Sequence, residues 1–155
     1  MERSSKYKVA LELIGWLITA VIVVGALAPI YFSGIAYPFY ITNAAFIVVF
    51  ITFARYIFLL DHTWLQKYTY VKIAIIGLSV LIVVSLVNWL FDFNRFIDEQ
   101  GLQELTYQLK FRDQNALSKY IKNQVLLFGV GAVIAAIILP IRLFISVWKD
   151  FNPNR

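Results

Sequence analysis

Three charges break into otherwise apolar chain: Glu12, Arg55 and Arg142. A charged side chain inside a bilayer is expensive and calls for a partner or a task. Glu12 falls about one turn into the first apolar segment. Arg55 and Arg142 fall about five and six residues before the ends of the second and fourth segments. If the segments thread back and forth, all three lie at similar depth, roughly 5–10 Å below one membrane surface by the helical rise. Such an intramembrane charge cluster could bind an anionic headgroup or substrate, or couple to a proton. The simpler reading carries more weight: Glu12 pairs with Lys8 one turn back, and both arginines snorkel to the headgroups. Arg55 is the most informative member, because its helix continues through apolar Tyr56–Leu60 beyond the charge.

Asp61 and His62 form a second candidate, a titratable loop site and the chain's one acid–imidazole neighbourhood. Histidine titrates near neutral pH, so a proton relay is conceivable. A single imidazole without a second ligand argues more for an interfacial turn. At the other side Asn43, Asn88 and Asp92 form a candidate outer polar cluster. Membrane asparagines commonly hydrogen-bond across helices for roughly 0.6–2 kcal/mol, so helix–helix glue outweighs a polar vestibule. The fourth segment carries Gly131 and Ala135, a small-xxx-small pair that permits close helix approach to an internal helix or another copy. Pro140 removes a backbone hydrogen bond further on, which predicts a kink near Ala136.

The chain has no cysteine and one histidine. That excludes disulfides, thiol catalysis, iron–sulfur clusters and Cys-ligated zinc, and a bis-His haem within one chain. No phosphate loop, HExxH or GxSxG motif is present. Nor is there a voltage-sensor spacing, a TVGYG-like filter or a broken-helix pair. The expectation is therefore no metal, no cofactor and no catalytic residues. The net charge of +5 does not form a basic stripe on a soluble face, so nucleic acid is not an expected partner.

The elements that must position these residues follow from the charge distribution. Hydrophobic residues make up 61% of the 155 and charged residues 15%, against about 45–50% and 25% in ordinary soluble domains. Forty-two residues separate Glu12 from Arg55 without an ionisable acid, base or histidine, and two further charge-free runs, 73–91 and 123–141, span 19 each. A bilayer core about 30 Å thick needs about 20 apolar residues per helix. The long run is split by turn chemistry at Pro29–Pro38, with Ser33 and Gly34 between the prolines. The expected fold is all-α: an integral-membrane four-helix bundle in one domain, residues 1–155, with spans near 9–31, 40–60, 70–93 and 123–148. In the outer loop, 94–122, Leu102, Leu105 and Leu109 recur at helical spacing after Gly101. That stripe predicts a short amphipathic helix between the third and fourth spans, more as a lid on its own bundle than as a helix flat on the outer leaflet. The fourth helix is expected to start near Asn115 and to project from the bilayer.

Orientation follows from the positive-inside rule. The side holding both termini and the second loop carries nine of the fourteen positive charges and a net +5, while the other side is neutral. Both termini are thus expected in the cytoplasm, N-in and C-in. Trp64, Trp89 and Trp148 fall near span ends, where amphipathic rings prefer to sit, whereas Trp16 lies about two turns inside. Ala26-Leu27-Ala28 offers a small-x-small cleavage site, but Pro29 directly after it should hinder cleavage, so the first helix is expected to be retained. The Ile, Lys, Phe and Tyr usage fits a bacterial inner (plasma) membrane.

These features favour a non-enzymatic accessory or scaffold subunit whose partners are the lipid bilayer and a membrane protein or a second copy of itself. A homo-oligomeric channel or transporter is the first alternative, lining a shared lumen with Asn43, Asn88, Thr52, Arg55 or Arg142. A lipid- or quinone-directed enzyme using Glu12, His62 or Asp92 is the second.

Overall fold

A computed structural model describes residues 2–152, with side chains from Tyr7 to Asn152. Of the charges counted for the orientation, those of Glu2, Arg3, Lys6 and Arg155 lie outside the described side chains. The described chain runs as α1 (Glu2–Phe32), α2 (Tyr40–Leu59), α3 (Thr69–Glu99), α4 (Leu102–Thr106) and α5 (Phe111–Phe151), with two short 3-10 turns, Leu60–His62 and Trp64–Lys67, between α2 and α3. No strand occurs among the described residues. Four of the helices are long and apolar enough to cross a membrane.

Three helices outrun the expected spans. α5 has 41 residues, and α1 and α3 have 31 each, or about 62 and 46 Å at 1.5 Å per residue. The polar segment 94–122 is consequently not a loop. The last turns of α3 and the first turns of α5 occupy most of it, because Phe93, Phe96, Leu117 and Ile121 continue the apolar packing beyond the charge-free runs. α5 starts at Phe111 rather than near Asn115. It also runs as one helix through Pro140.

α5 is the central element. In its apolar window 39% of the residues are buried, against 11% in those of α1 and α3. α2 and α3 pack along it, and α1 lies mainly against α2. The reason is the stripe Ile121, Val125, Gly129, Ala132, Ala136, Leu139, Leu143, which recurs every three or four residues and is small in its middle. A Cβ at Gly129 would crowd Leu90 at 2.9 Å, and one at Gly131 would crowd the Phe50 ring at 2.9 Å. The bare backbone is what lets α2 and α3 approach α5. Gly131 thus meets an internal helix, and Ala135, four residues on, is 4% exposed. The remaining faces of α1 and α3, including Leu17, Val21, Val80 and Leu81, are apolar and exposed.

α4 is a single five-residue segment, shorter than the Leu102–Leu109 stripe suggested. Gly101 adopts φ +76°, a left-handed conformation that a Cβ would strain, and this turns the chain sharply out of α3. Leu102 and Thr106 are buried and Leu105 and Leu109 pack partly against the core. The Thr106 and Ser118 hydroxyls lie 3.1 Å apart, and Gln114 Nε2 donates to the Gln103 carbonyl at 3.1 Å. α4 therefore caps the ends of its own bundle.

Candidate functional site

The contacts define two ends of the bundle. At one, which we term the charged end, the start of α1, the α2–α3 connection, the start of α3 and the end of α5 converge. Lys8 Nζ donates to Gln66 Oε1 at 2.6 Å, and Lys72 Nζ to Asp150 Oδ2 at 2.7 Å. The 33–39 connection and α4 lie at the opposite end.

Glu12 and Arg55 face one another across α1 and α2. Arg55 Nη2 donates to Glu12 Oε2 at 2.7 Å, with both side chains 12% exposed. Arg55 Nη1 also reaches the Glu12 carbonyl at 3.4 Å. Gly15, three residues after Glu12 and on the same helix face, leaves room for the guanidinium, which a Cβ there would collide with. The guanidinium carbon lies 5.8 Å from the Trp16 ring centroid and 5.2 Å from that of Tyr56, both within cation–π range. Trp16 thus sits well inside its helix rather than at a span end because the cation it covers is there. This differs from the simpler reading of the sequence: Glu12 takes Arg55 rather than Lys8, and Arg55 turns into the helix interface rather than outward.

Arg142 does not join this pair, so the three-residue cluster does not form. Its Nη2 lies 3.6 Å from Asp61 Oδ2, and its Nε donates to the Ile57 carbonyl at 3.4 Å. Both contacts lie on the α2–α5 side of the bundle, at the end of α2 and the turn that follows it, rather than in the α1–α2 seam. Asp61 and His62 are both exposed in the 3-10 turn, with Asp61 directed to Arg142 instead of to the imidazole.

The outer polar cluster also resolves differently. Asn43 is fully buried and meets Gln124 of α5 in a reciprocal amide pair, Nδ2 to Oε1 at 3.0 Å and Nε2 to Oδ1 at 3.2 Å. Its Nδ2 also approaches the Tyr37 hydroxyl at 3.4 Å. Burial pushes the Tyr37 hydroxyl well above the usual tyrosine range, the Asn43 contact opposing it and nearby Tyr40 adding to it. Asn88 and Asp92 are exposed on α3, and Asp92 pairs with Arg95 one turn on, at 3.3 Å. Asn88 and Asp92 therefore face away from the α2–α5 seam that holds Asn43.

Sequence reasoning missed Lys72. It is 0% exposed, and its ammonium donates to Ser146 Oγ at 3.0 Å and to Asp150 at 2.7 Å, while Thr69 Oγ1 donates to the same carboxylate oxygen at 2.9 Å. The available signal was its place immediately before a charge-free run, which a snorkelling lysine explains equally well. Nothing in the sequence marked Gln124 as the partner of Asn43.

A cavity of about 180 Å³ opens beside the Glu12–Arg55 pair, between α1, α2 and the 3-10 turn. Ile14, Ile18 and Leu59 line its apolar part, and His62 and Thr63 its end at the turn. Two polar atoms of the pair, Glu12 Oε1 and Arg55 Nε, are buried without a hydrogen-bond partner among the described residues, as is Thr52 Oγ1 one turn back on α2. Among the described residues no three His, Asp or Glu side chains gather as metal ligands. No protein-family model, curated protein or solved structure matches the chain.

Proposed function

We propose that this chain is a multi-pass membrane protein with both termini in the cytoplasm, serving as a non-enzymatic accessory or scaffold subunit. The observation that carries the reading is where its interior polar groups go. Asn43 with Gln124, Lys72 with Asp150 and Arg142 with Asp61 each join two different parts of the helical frame. Polar pairs of this kind fix helix register and leave little for chemistry. What the bundle offers outward is helix surface, chiefly the apolar faces of α1 and α3.

The competing readings find less support in this geometry. A shared lumen needs polar side chains on outward faces; of the residues it would use, Asn43 is buried and Arg55 is paired inside the α1–α2 seam, while Asn88 is exposed on α3. An enzyme built on Glu12, His62 and Asp92 needs them together. Asp92 lies twenty residues along α3 from Lys72 of the charged end, or about 30 Å by helical rise.

Photo-crosslinking in native membranes tests the proposal. A photoreactive residue at Leu17 or Leu81 should give one discrete adduct, with a membrane protein or with a second copy, while buried Ile47 gives none. A chain that forms no adduct and conducts ions in liposomes would overturn it. Reporter tags in the α3–α5 connection and at the C-terminus should lie in opposite compartments.

A further inference from the structure

Asn88 carries an amide that its own bundle leaves unused. Trp89 beside it packs edge-on against Phe46, 6.4 Å between ring centroids. Phe46 lies six residues beyond the start of α2, about 9 Å by helical rise. With the helices in a bilayer, that depth is hydrocarbon rather than headgroup. Asn43, the asparagine of α2, is buried and paired with Gln124. The Asn88 side chain is instead exposed, and among the described residues it has no hydrogen-bond partner. An amide turned toward lipid tails is costly, because nothing there can give or take its hydrogen bonds.

Asn88 also belongs to a line. Ala74, Gly77, Leu81, Val84, Asn88 and Phe91 are all exposed and follow one another by alternate steps of three and four residues. That alternation is the seam of two helices wound around each other with a left-handed twist. A Cβ at Gly77 would meet nothing within 4 Å, so this glycine makes room for no neighbour inside the bundle. We propose that the line is the interface with a second copy of the chain, α3 against α3, with the two Asn88 amides hydrogen-bonded to each other. Copies of one chain insert with the same orientation, so a two-fold axis along the membrane normal runs α3 parallel to α3 and sets each residue opposite itself. A carboxamide suits that place because it donates and accepts at once, whereas a charged side chain would repel its own copy. One asparagine in an otherwise apolar seam also fixes the register. The proposal rests on the membrane reading above and names the partner that the scaffold reading leaves open.

The chain has no cysteine of its own, so single introduced cysteines report proximity without background. In native membranes under mild oxidation, Leu81→Cys and Val84→Cys should give disulfide-linked dimers. Leu78→Cys and Val87→Cys, exposed on other sides of the same helix, should not. The strength of pairing is read with the full chain, labelled at its C-terminal tail, by energy transfer in liposomes of falling protein-to-lipid ratio. An interhelical hydrogen bond in a membrane is worth about three- to tenfold in association, so Asn88→Ala should weaken the dimer by that factor. Gly77→Ile should abolish it by holding the helices apart. Both sites face outward, so each variant should keep the unfolding transition of the native chain in sodium dodecyl sulfate, which separates lost pairing from lost folding. A chain that stays monomeric at every ratio overturns the proposal. So does a dimer that neither substitution weakens, or crosslinking at Leu78 and Val87 equal to that at Leu81 and Val84. A discrete photo-adduct from Leu81 with a different protein, and none with a second copy, overturns it and leaves the scaffold reading standing. Ion conduction by a chain paired through Leu81 removes the scaffold reading and supports the dimer.

Discussion

Removing the Asn43 amide should loosen α2 from α5 by an amount that the geometry bounds. Asn43 and Gln124 exchange two hydrogen bonds at 3.0 and 3.2 Å, with the two residues 0% and 7% exposed. Interhelical side-chain hydrogen bonds in membrane proteins average about 0.6 kcal/mol and reach about 1.7. The pair is thus worth about 1–2 kcal/mol in coupling. Asn43→Ala also strands a buried Gln124 amide, which adds roughly 1 kcal/mol or more, so the single variant should lose about 2–3 kcal/mol. Gln124→Ala should behave alike. The double variant should cost clearly less than the two singles together, because no amide remains to be stranded. The assay is reversible unfolding by sodium dodecyl sulfate in mixed micelles, followed by circular dichroism, as a double-mutant cycle. Additivity of the two losses to within about 0.5 kcal/mol would refute the reasoning, since independent sites add to about that precision.

Other outcomes follow from the same packing. Asp150→Asn removes the charge that balances the buried Lys72 ammonium and leaves it only neutral acceptors; because Asp150 is 37% exposed, the loss should fall below the 3–5 kcal/mol of a fully buried pair, at about 2. Lys72→Met with Asp150→Asn should recover most of it in the same unfolding assay. Gly131→Ala brings a Cβ to 2.9 Å from Phe50 and should cost about 1–2 kcal/mol by overpacking, with Phe50→Leu relieving it. The raised Tyr37 hydroxyl contributes stability that is whole below the ordinary tyrosine value of 10.0. That stability drains as pH climbs toward the raised folded-state value, because the folded state then holds the proton that the unfolded state has released. Unfolding measured from about pH 8 to 11 should show this alkaline loss in the native chain and a shallower one in Tyr37→Phe.

The number and order of the apolar helices, the hairpin break at Pro29–Pro38, the small face of α5 and the stripe in α4 were all written in the linear chain. Each depends on spacing along one segment and on the reach of hydrocarbon, and both can be counted residue by residue. Helix ends were less legible. Phe93, Phe96 and Ile121 lie among polar neighbours, and only packing between α3 and α5 shows that the helices continue through them.

Pairing between segments was decided only by the tertiary structure. By depth alone Glu12 had Arg55, Arg142 and Lys8 as equal partners. The rotation of α1 against α2, with Gly15 opening a place for the guanidinium, selects Arg55. The same rotation gives Arg142 to Asp61, Lys8 to Gln66 and Asn43 to Gln124 rather than to Asn88. Sequence fixes how far along its helix a side chain lies. Which way it points around that helix toward a neighbour is settled when small and large residues interlock, and a charge-charge contact of 2.7 Å exists only after they have done so.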